Sequence, residues 1–114
     1  MNRNSFIDLL KENRGLIMLK FGAEWCNPCK LIDNYVDQKF KEMPTDVTCI
    51  KIDVDEHLDL YAFLKSKKMV QGIPTILCYE KGNETYIPVD IVSGTDEKEL
   101  DHFFKRCLII LSEL

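Results

Sequence analysis

Between Leu16 and Phe21 the chain runs Leu-Ile-Met-Leu-Lys-Phe, and after a short Gly-Ala-Glu-Trp step Cys26 and Cys29 bracket Asn27 and Pro28. A strand that is apolar at nearly every position has no face to give to water, so it must lie inside a sheet covered on both sides. The segment that follows carries Leu31, Ile32, Tyr35, Val36, Phe40 and Met43 at three- and four-residue spacings and meets Pro44, the pattern of an amphipathic helix that ends there.

The remaining punctuation extends this pattern. Ser5 is a capping residue for a short helix reaching about Asn13, with Phe6, Leu9 and Leu10 on its apolar side and Gly15 beyond its end. Val47 to Val54 reads as a second strand, and Asp55 and Glu56 sit where acids favour the start of a helix running to about Lys67. Thr75 to Tyr79 is a third strand; Lys81-Gly82-Asn83 turns the chain into a fourth running toward Val92, an antiparallel partner. Pro88 lacks a ladder donor and assigns that fourth strand to an edge. Asp96 and Glu99 form a capping signature before a last helix whose stripe is Leu100, Phe103, Phe104, Cys107, Leu108 and Leu111. The order αβαβαββα predicts an α/β fold, a mixed sheet of about four strands with helices on both faces. No linker, repeat or biased segment divides the 114 residues, which are expected to form one domain, 1–114.

Cys26 and Cys29 supply the chemistry. Residues three apart on a helix have Cβ atoms about 5–6 Å apart, close to what a disulfide needs. With the helix starting at Cys26, that sulfur faces unpaired N–H groups at the positive end of the helix dipole, which favours the thiolate and hence reactivity. Pro28 suits a first turn, where its missing N–H costs little. Residue chemistry alone also allows a structural disulfide, half of a zinc site, or two unrelated core cysteines. Zinc needs two further ligands, and Cys49, Cys78, Cys107, His57 and His102 are scattered, with no second close pair.

Other functions find less support. A net charge of −4 argues against nucleic acid as a partner; the Lys65-Ser66-Lys67-Lys68 cluster suits a helix C-terminus. No apolar run of spanning length is present, and the polar Met1 to Ser5 stretch lacks the apolar core of a signal peptide, so a cytoplasmic, reducing location is expected. Cys49 and Cys78 fall within strands and Cys107 on an apolar helix stripe, positions for cysteine as a small hydrophobe. His57 and His102 lie among acids and are expected to face solvent. No metal or bound cofactor is called for.

Three separated stretches, Phe21-Gly22-Ala23-Glu24-Trp25-Cys26-Asn27-Pro28-Cys29-Lys30, Gly72-Ile73-Pro74-Thr75, and Gly94 before the last helix, together resemble the thioredoxin family over nearly the whole chain. The resemblance implies a thioredoxin fold, a cis Pro74 beside the cysteines, and a protein-disulfide oxidoreductase that reduces partner disulfides in electron transport and cell redox homeostasis. Cys26 becomes the attacking thiolate and Cys29 the resolving thiol. Trp25, Asn27, Pro28, Ile73, Pro74, Ser93 and Gly94 become a shallow groove for protein disulfides, in which the Ile73 backbone pairs with an extended substrate. An upstream reductant, a thioredoxin reductase or a glutathione system, restores the dithiol. The alternatives are a more oxidising oxidase or isomerase, and a thioredoxin-fold binding module without turnover.

Departures from the family pattern are informative. Lys20 stands where a buried aspartate is usual, and Lys51 matches a lysine that often pairs with it. A charged Lys20 some 5–6 Å from the Cys29 sulfur gives about 3 kcal/mol at an effective dielectric near 20, roughly two pKa units, favouring the thiolate and a more oxidising couple. The alternative is that Lys20 snorkels to water and does neither. Two lysines converging there would repel, so at least one is expected to point outward. Asn27 replaces a glycine of the active-site turn, and Asn34 replaces a helix-kinking proline, predicting a straighter helix. No room exists before Ser5 for the family's usual first strand, which leaves the Val47 to Val54 strand as an open edge. A monomer is expected, with that edge as the route to a dimer.

Overall fold

Strand β1 (Leu16–Gly22) is the organising element of the computed structural model, which describes residues 1–114. Its side chains from Leu16 to Phe21 are all buried, as their apolar continuity demands. On one side β1 pairs in parallel with β2 (Val47–Asp53), and on the other it runs antiparallel to β3 (Thr75–Glu80), which pairs antiparallel with β4 (Asp90–Ser93). The sheet order is β2-β1-β3-β4, so β4 and β2 are the two edges. Both the predicted element order and the mixed four-stranded sheet are observed.

Alternation along β1 divides the core. Ile17, Leu19 and Phe21 face α1 (Arg3–Lys11) and α3 (Leu58–Ser66), packing with Phe6, Leu10, Leu60, Leu64 and Tyr79. Leu16 and Met18 face α2 (Asn27–Glu42) and α4 (Glu97–Ser112), packing with Ile32, Val36, Phe103 and Phe104. Met18 lies in register between Cys49 of β2 and Cys78 of β3, and Cys107 of α4 closes over the same layer. Cys78 and Cys107 are fully buried free thiols and Cys49 is partly buried, the structural setting expected for them.

Several local expectations change. The α1 cap is Asn2 rather than Ser5; the Asn2 side chain accepts from the Ser5 N–H while the Ser5 hydroxyl accepts from the Asn2 N–H, a reciprocal box. Helix α3 starts three residues beyond Asp55, because the Glu56 and His57 N–H groups are spent on the Asp53 carbonyl in a preceding turn. His57 is partly buried and contacts the Met1 amine, whereas His102 does face solvent. Leu31 and Leu108, assigned to buried stripes, are exposed. Both sit at the margin of a stripe whose centre, Ile32 with Val36 and Phe104 with Cys107, meets the sheet. Pro88 precedes β4 instead of interrupting it, which shortens that strand to four residues. Helix α2 is one continuous 16-residue element.

No helix is long and apolar enough to cross a membrane.

Candidate active site

Cys26 and Cys29 lie where β1 has ended and α2 begins. Cys26 is the N-cap of α2 with an extended backbone, and its Sγ accepts the Cys29 N–H at 3.2 Å. Pro28 occupies the first turn, where it has no ladder bond to break. The two cysteines form a disulfide, with Cα atoms 5.3 Å apart. The Cys26 cap position therefore gives its sulfur both a hydrogen-bond donor and the positive end of a helix dipole. Both residues are little exposed, Cys26 at 5% and Cys29 at 3%. Burial alone thus does not distinguish the two sulfurs; the cap does.

A second segment approaches from β3. The Ile73–Pro74 peptide is cis, as expected, and the Ile73 carbonyl oxygen lies 3.9 Å from the Cys26 Sγ. That segment is tied to the β4–α4 turn: the Gly94 N–H donates to the Pro74 carbonyl at 3.0 Å, and the Thr75 and Ser93 hydroxyls are 2.8 Å apart. Gly94 has φ +92°, a conformation a side chain would strain. Trp25, Asn27, Pro28 and Ser93 are exposed, Ile73 and Gly94 partly so, and Pro74 is buried. The Trp25 side chain is not core packing: it is 66% exposed and its indole N–H donates to Asp55 Oδ2 at 2.7 Å.

Of the two lysines, one points outward, as expected, and the other has a partner that the sequence did not indicate. Lys20 does not snorkel, its side chain being 4% exposed, and its charge is not bare, because Asp33 of α2 is its ion-pair partner. Lys51 is the outward one, exposed and bonded to Asp37 Oδ1 at 2.7 Å. Lys20 and Lys51 face each other in strand register, so each repels the other unless countered, and α2 supplies one acid to each from successive turns. Asp33 and Asp37 escaped the sequence reading, which followed only the apolar positions of α2. The signal was there: Cys29, Asp33 and Asp37 recur every four residues and so share a helix face.

Behind Cys29 that face borders a cavity of about 350 Å³, shared by Lys20, Asp33 and Cys29. Gly22 forms part of its wall, and a Cβ there would sit 3.4 Å from the Cys29 Sγ, so the bare backbone keeps the space open. No group of three or more His, Cys, Asp or Glu side chains is arranged to hold a metal ion. Away from the site, burial pushes the Cys49 thiol up to about 11, and Cys78, against Cys107 in the core, is pushed upward as well, by their hydrogen bond first and burial second.

Residues 1–106 match the family model described as Thioredoxin. The mitochondrial thioredoxin of Mus musculus is 26% identical over 103 residues, covering 90% of this chain, which spans 58% of that protein's length. Putative thioredoxin-4 of Dictyostelium discoideum is 33% identical over 78 residues, 68% of each chain. Among solved structures, the thioredoxin of Fasciola hepatica superposes with a TM-score of 0.73 at 31% identity, covering 92% of this chain and 93% of that one.

Proposed function

This chain belongs to the thioredoxin family, and on that premise we propose that it is a thiol-disulfide oxidoreductase that reduces protein disulfides through Cys26 and Cys29. The observation that carries the reading is the Cys26–Cys29 disulfide at the N-cap of α2, beside the cis Pro74 segment. In the dithiol form, the Cys26 thiolate is stabilised by the Cys29 N–H and the helix dipole. It attacks one sulfur of a partner disulfide; the other sulfur leaves as a thiolate and takes up a proton. Cys29, having lost its proton, then attacks the Cys26 Sγ, so that the Cys26–Cys29 bond forms as the mixed disulfide breaks. The partner gains two electrons and the dithiol gives up two.

Trp25, Asn27, Pro28, Ile73, Pro74, Ser93 and Gly94 form the docking groove, in which the Ile73 backbone meets an extended substrate chain. A separate reductant, a thioredoxin reductase or a glutathione system, returns the disulfide to the dithiol. A reducing compartment such as the cytoplasm keeps Cys49, Cys78 and Cys107 as thiols.

The test is dithiothreitol-driven reduction of a protein disulfide by the wild type beside Cys26→Ser, with the uncatalysed rate subtracted. Catalysis that vanishes in Cys26→Ser supports the reading; a folded wild type that accelerates nothing refutes it.

A further inference from the structure

Lys20 is the one charged residue whose side chain is fully enclosed, and this holds in a protein whose site must change charge as it works. Its ammonium is paired with Asp33, which is unlike it in one respect: the Asp33 side chain is 44% exposed. Cys29 lies four residues before Asp33 on the same face of α2, with Cβ atoms about 5–6 Å apart on a regular helix, and Lys20 reaches that face from β1. All three border the same cavity. The other charged groups around it are Glu24, Lys30, Lys51 and Asp53. Lys51 is turned outward to Asp37, Asp53 Oδ1 accepts the Asp55 N–H at 2.8 Å, and Glu24 and Lys30 are exposed.

We propose that Lys20 is a redox-linked counter-ion, paired with Asp33 while Cys26 and Cys29 are bridged and turning across the cavity to the Cys29 thiolate once the bridge is reduced. This rests on the dithiol reading above. The reason is an asymmetry of solvation. A buried ammonium needs a negative partner in either state, and a buried thiolate needs a positive one. A half-exposed carboxylate does not, because water takes the partner's place at little cost. While the disulfide is intact, Cys29 carries no charge and Asp33 is the ammonium's partner. When a dithiol donor delivers two electrons and the Sγ–Sγ bond breaks, charge left on the Cys29 sulfur competes for the same ammonium. The flexible stem of Lys20 carries the charge over. Lys20 thereby acts as a positioning residue that raises the population of the Cys29 thiolate, the form that resolves the mixed disulfide. Asp33 acts through Lys20, as the competitor that holds it back.

The test titrates Cys29 by thiolate ultraviolet absorbance in a Cys26→Ser background, with the Cys26→Ser/Cys29→Ser protein as the blank for Cys49, Cys78 and Cys107. Lys20→Met is expected to raise the Cys29 midpoint by about one to two pH units, a ten- to hundredfold loss of thiolate on the rising limb. Asp33→Asn is expected to move it the opposite way, since the ammonium loses its other partner, and Lys20→Arg to stay near the parent. A pair that merely held the fold together would shift both single variants alike. An unchanged midpoint in Lys20→Met, or a raised one in Asp33→Asn, overturns the proposal. If Asp33→Asn, with its stranded ammonium, does not fold, Lys20→Met/Asp33→Asn carries the test: a midpoint equal to that of Lys20→Met supports a role for Asp33 through Lys20, and a different one refutes it. The titration needs no turnover, so its failure leaves the reductase reading standing, and an inactive reductase leaves the titration readable.

Discussion

Two buried tyrosine hydroxyls should respond to the same substitution with opposite signs. The Tyr35 hydroxyl is enclosed against α4 and has no hydrogen-bond partner, while its ring packs on Phe104 with centroids 6.4 Å apart and lies under the Lys39 ammonium. Burial, followed by the nearby Asp101, Glu97 and Glu42 carboxylates, raises its pKa, so it stays a neutral and unsatisfied donor across the working range. The Tyr79 hydroxyl is also buried, but it donates to the Tyr86 carbonyl at 2.7 Å. An unsatisfied buried hydroxyl costs about 1–3 kcal/mol, and a made hydrogen bond contributes about 1 kcal/mol net. Tyr35→Phe keeps the ring and deletes the unpaired group, so a gain of about 1 kcal/mol is expected. Tyr79→Phe strands the Tyr86 carbonyl, so a loss of about 1–2 kcal/mol is expected. With m-values of about 1–3 kcal/mol/M for small proteins, urea midpoints should separate by roughly 1 M or more between the two variants. The assay is urea unfolding of both variants and the parent, all in the disulfide form. A destabilised Tyr35→Phe, or shifts of one sign in both proteins, would refute the reasoning from hydrogen-bond satisfaction.

Three further outcomes are expected. With its thiol pushed up to about 11 by burial, Cys49 should hold roughly a hundredfold less thiolate at neutral pH than an unperturbed thiol at 9; iodoacetamide on the reduced protein, followed by peptide mass analysis, should mark Cys26 well before Cys49, and equal labelling would contradict this. The Asp59 carboxyl is held below its usual value by the Arg3 side-chain hydrogen bond first and the Arg3 N–H second. Its folded pKa is depressed, so its contribution is present above about pH 4 and is lost as pH falls through the folded value; Asp59→Asn should flatten that acid limb of the urea midpoint, and an identical pH profile would argue against it. Asp55→Ala frees the Trp25 indole, which should change the tryptophan emission and raise KM for a protein disulfide by roughly two- to tenfold, with the rate on a small disulfide unchanged; equal losses on both substrates would place the effect on the cysteines instead.

What could be read in the chain followed the range of the physics involved. Strand β1 was legible because six consecutive buried positions leave a local mark, and α2 because its apolar residues repeat at the helical period. The cap of α1 was misassigned between two competent residues, Asn2 and Ser5, since local sequence does not say which N–H groups will go unpaired. The start of α3 moved because Asp53, outside the expected helix, captures the N–H groups of Glu56 and His57. The cysteine pair and the cis Pro74 segment were legible as motifs. The partner of Lys20 was not, because the pair forms only when α2 is laid across β1. Its spacing was nevertheless written in the row Cys29, Asp33, Asp37.

The sulfur layer of the core also governs how this protein can fail. Folded, the chain keeps a reactive disulfide and three further thiols apart: Cys78 lies beneath α4, Cys107 is buried on the inner face of that helix, and Cys49 is partly covered on β2. Unfolding releases all five sulfurs into one flexible chain, where any of the three thiolates can attack the Cys26–Cys29 bond intramolecularly. An oxidised molecule that opens fully can therefore close on the wrong partners, and native packing acts as a protecting group for its own thiols. Recovery from heat should be complete in the presence of excess reductant and decline with dwell time in its absence.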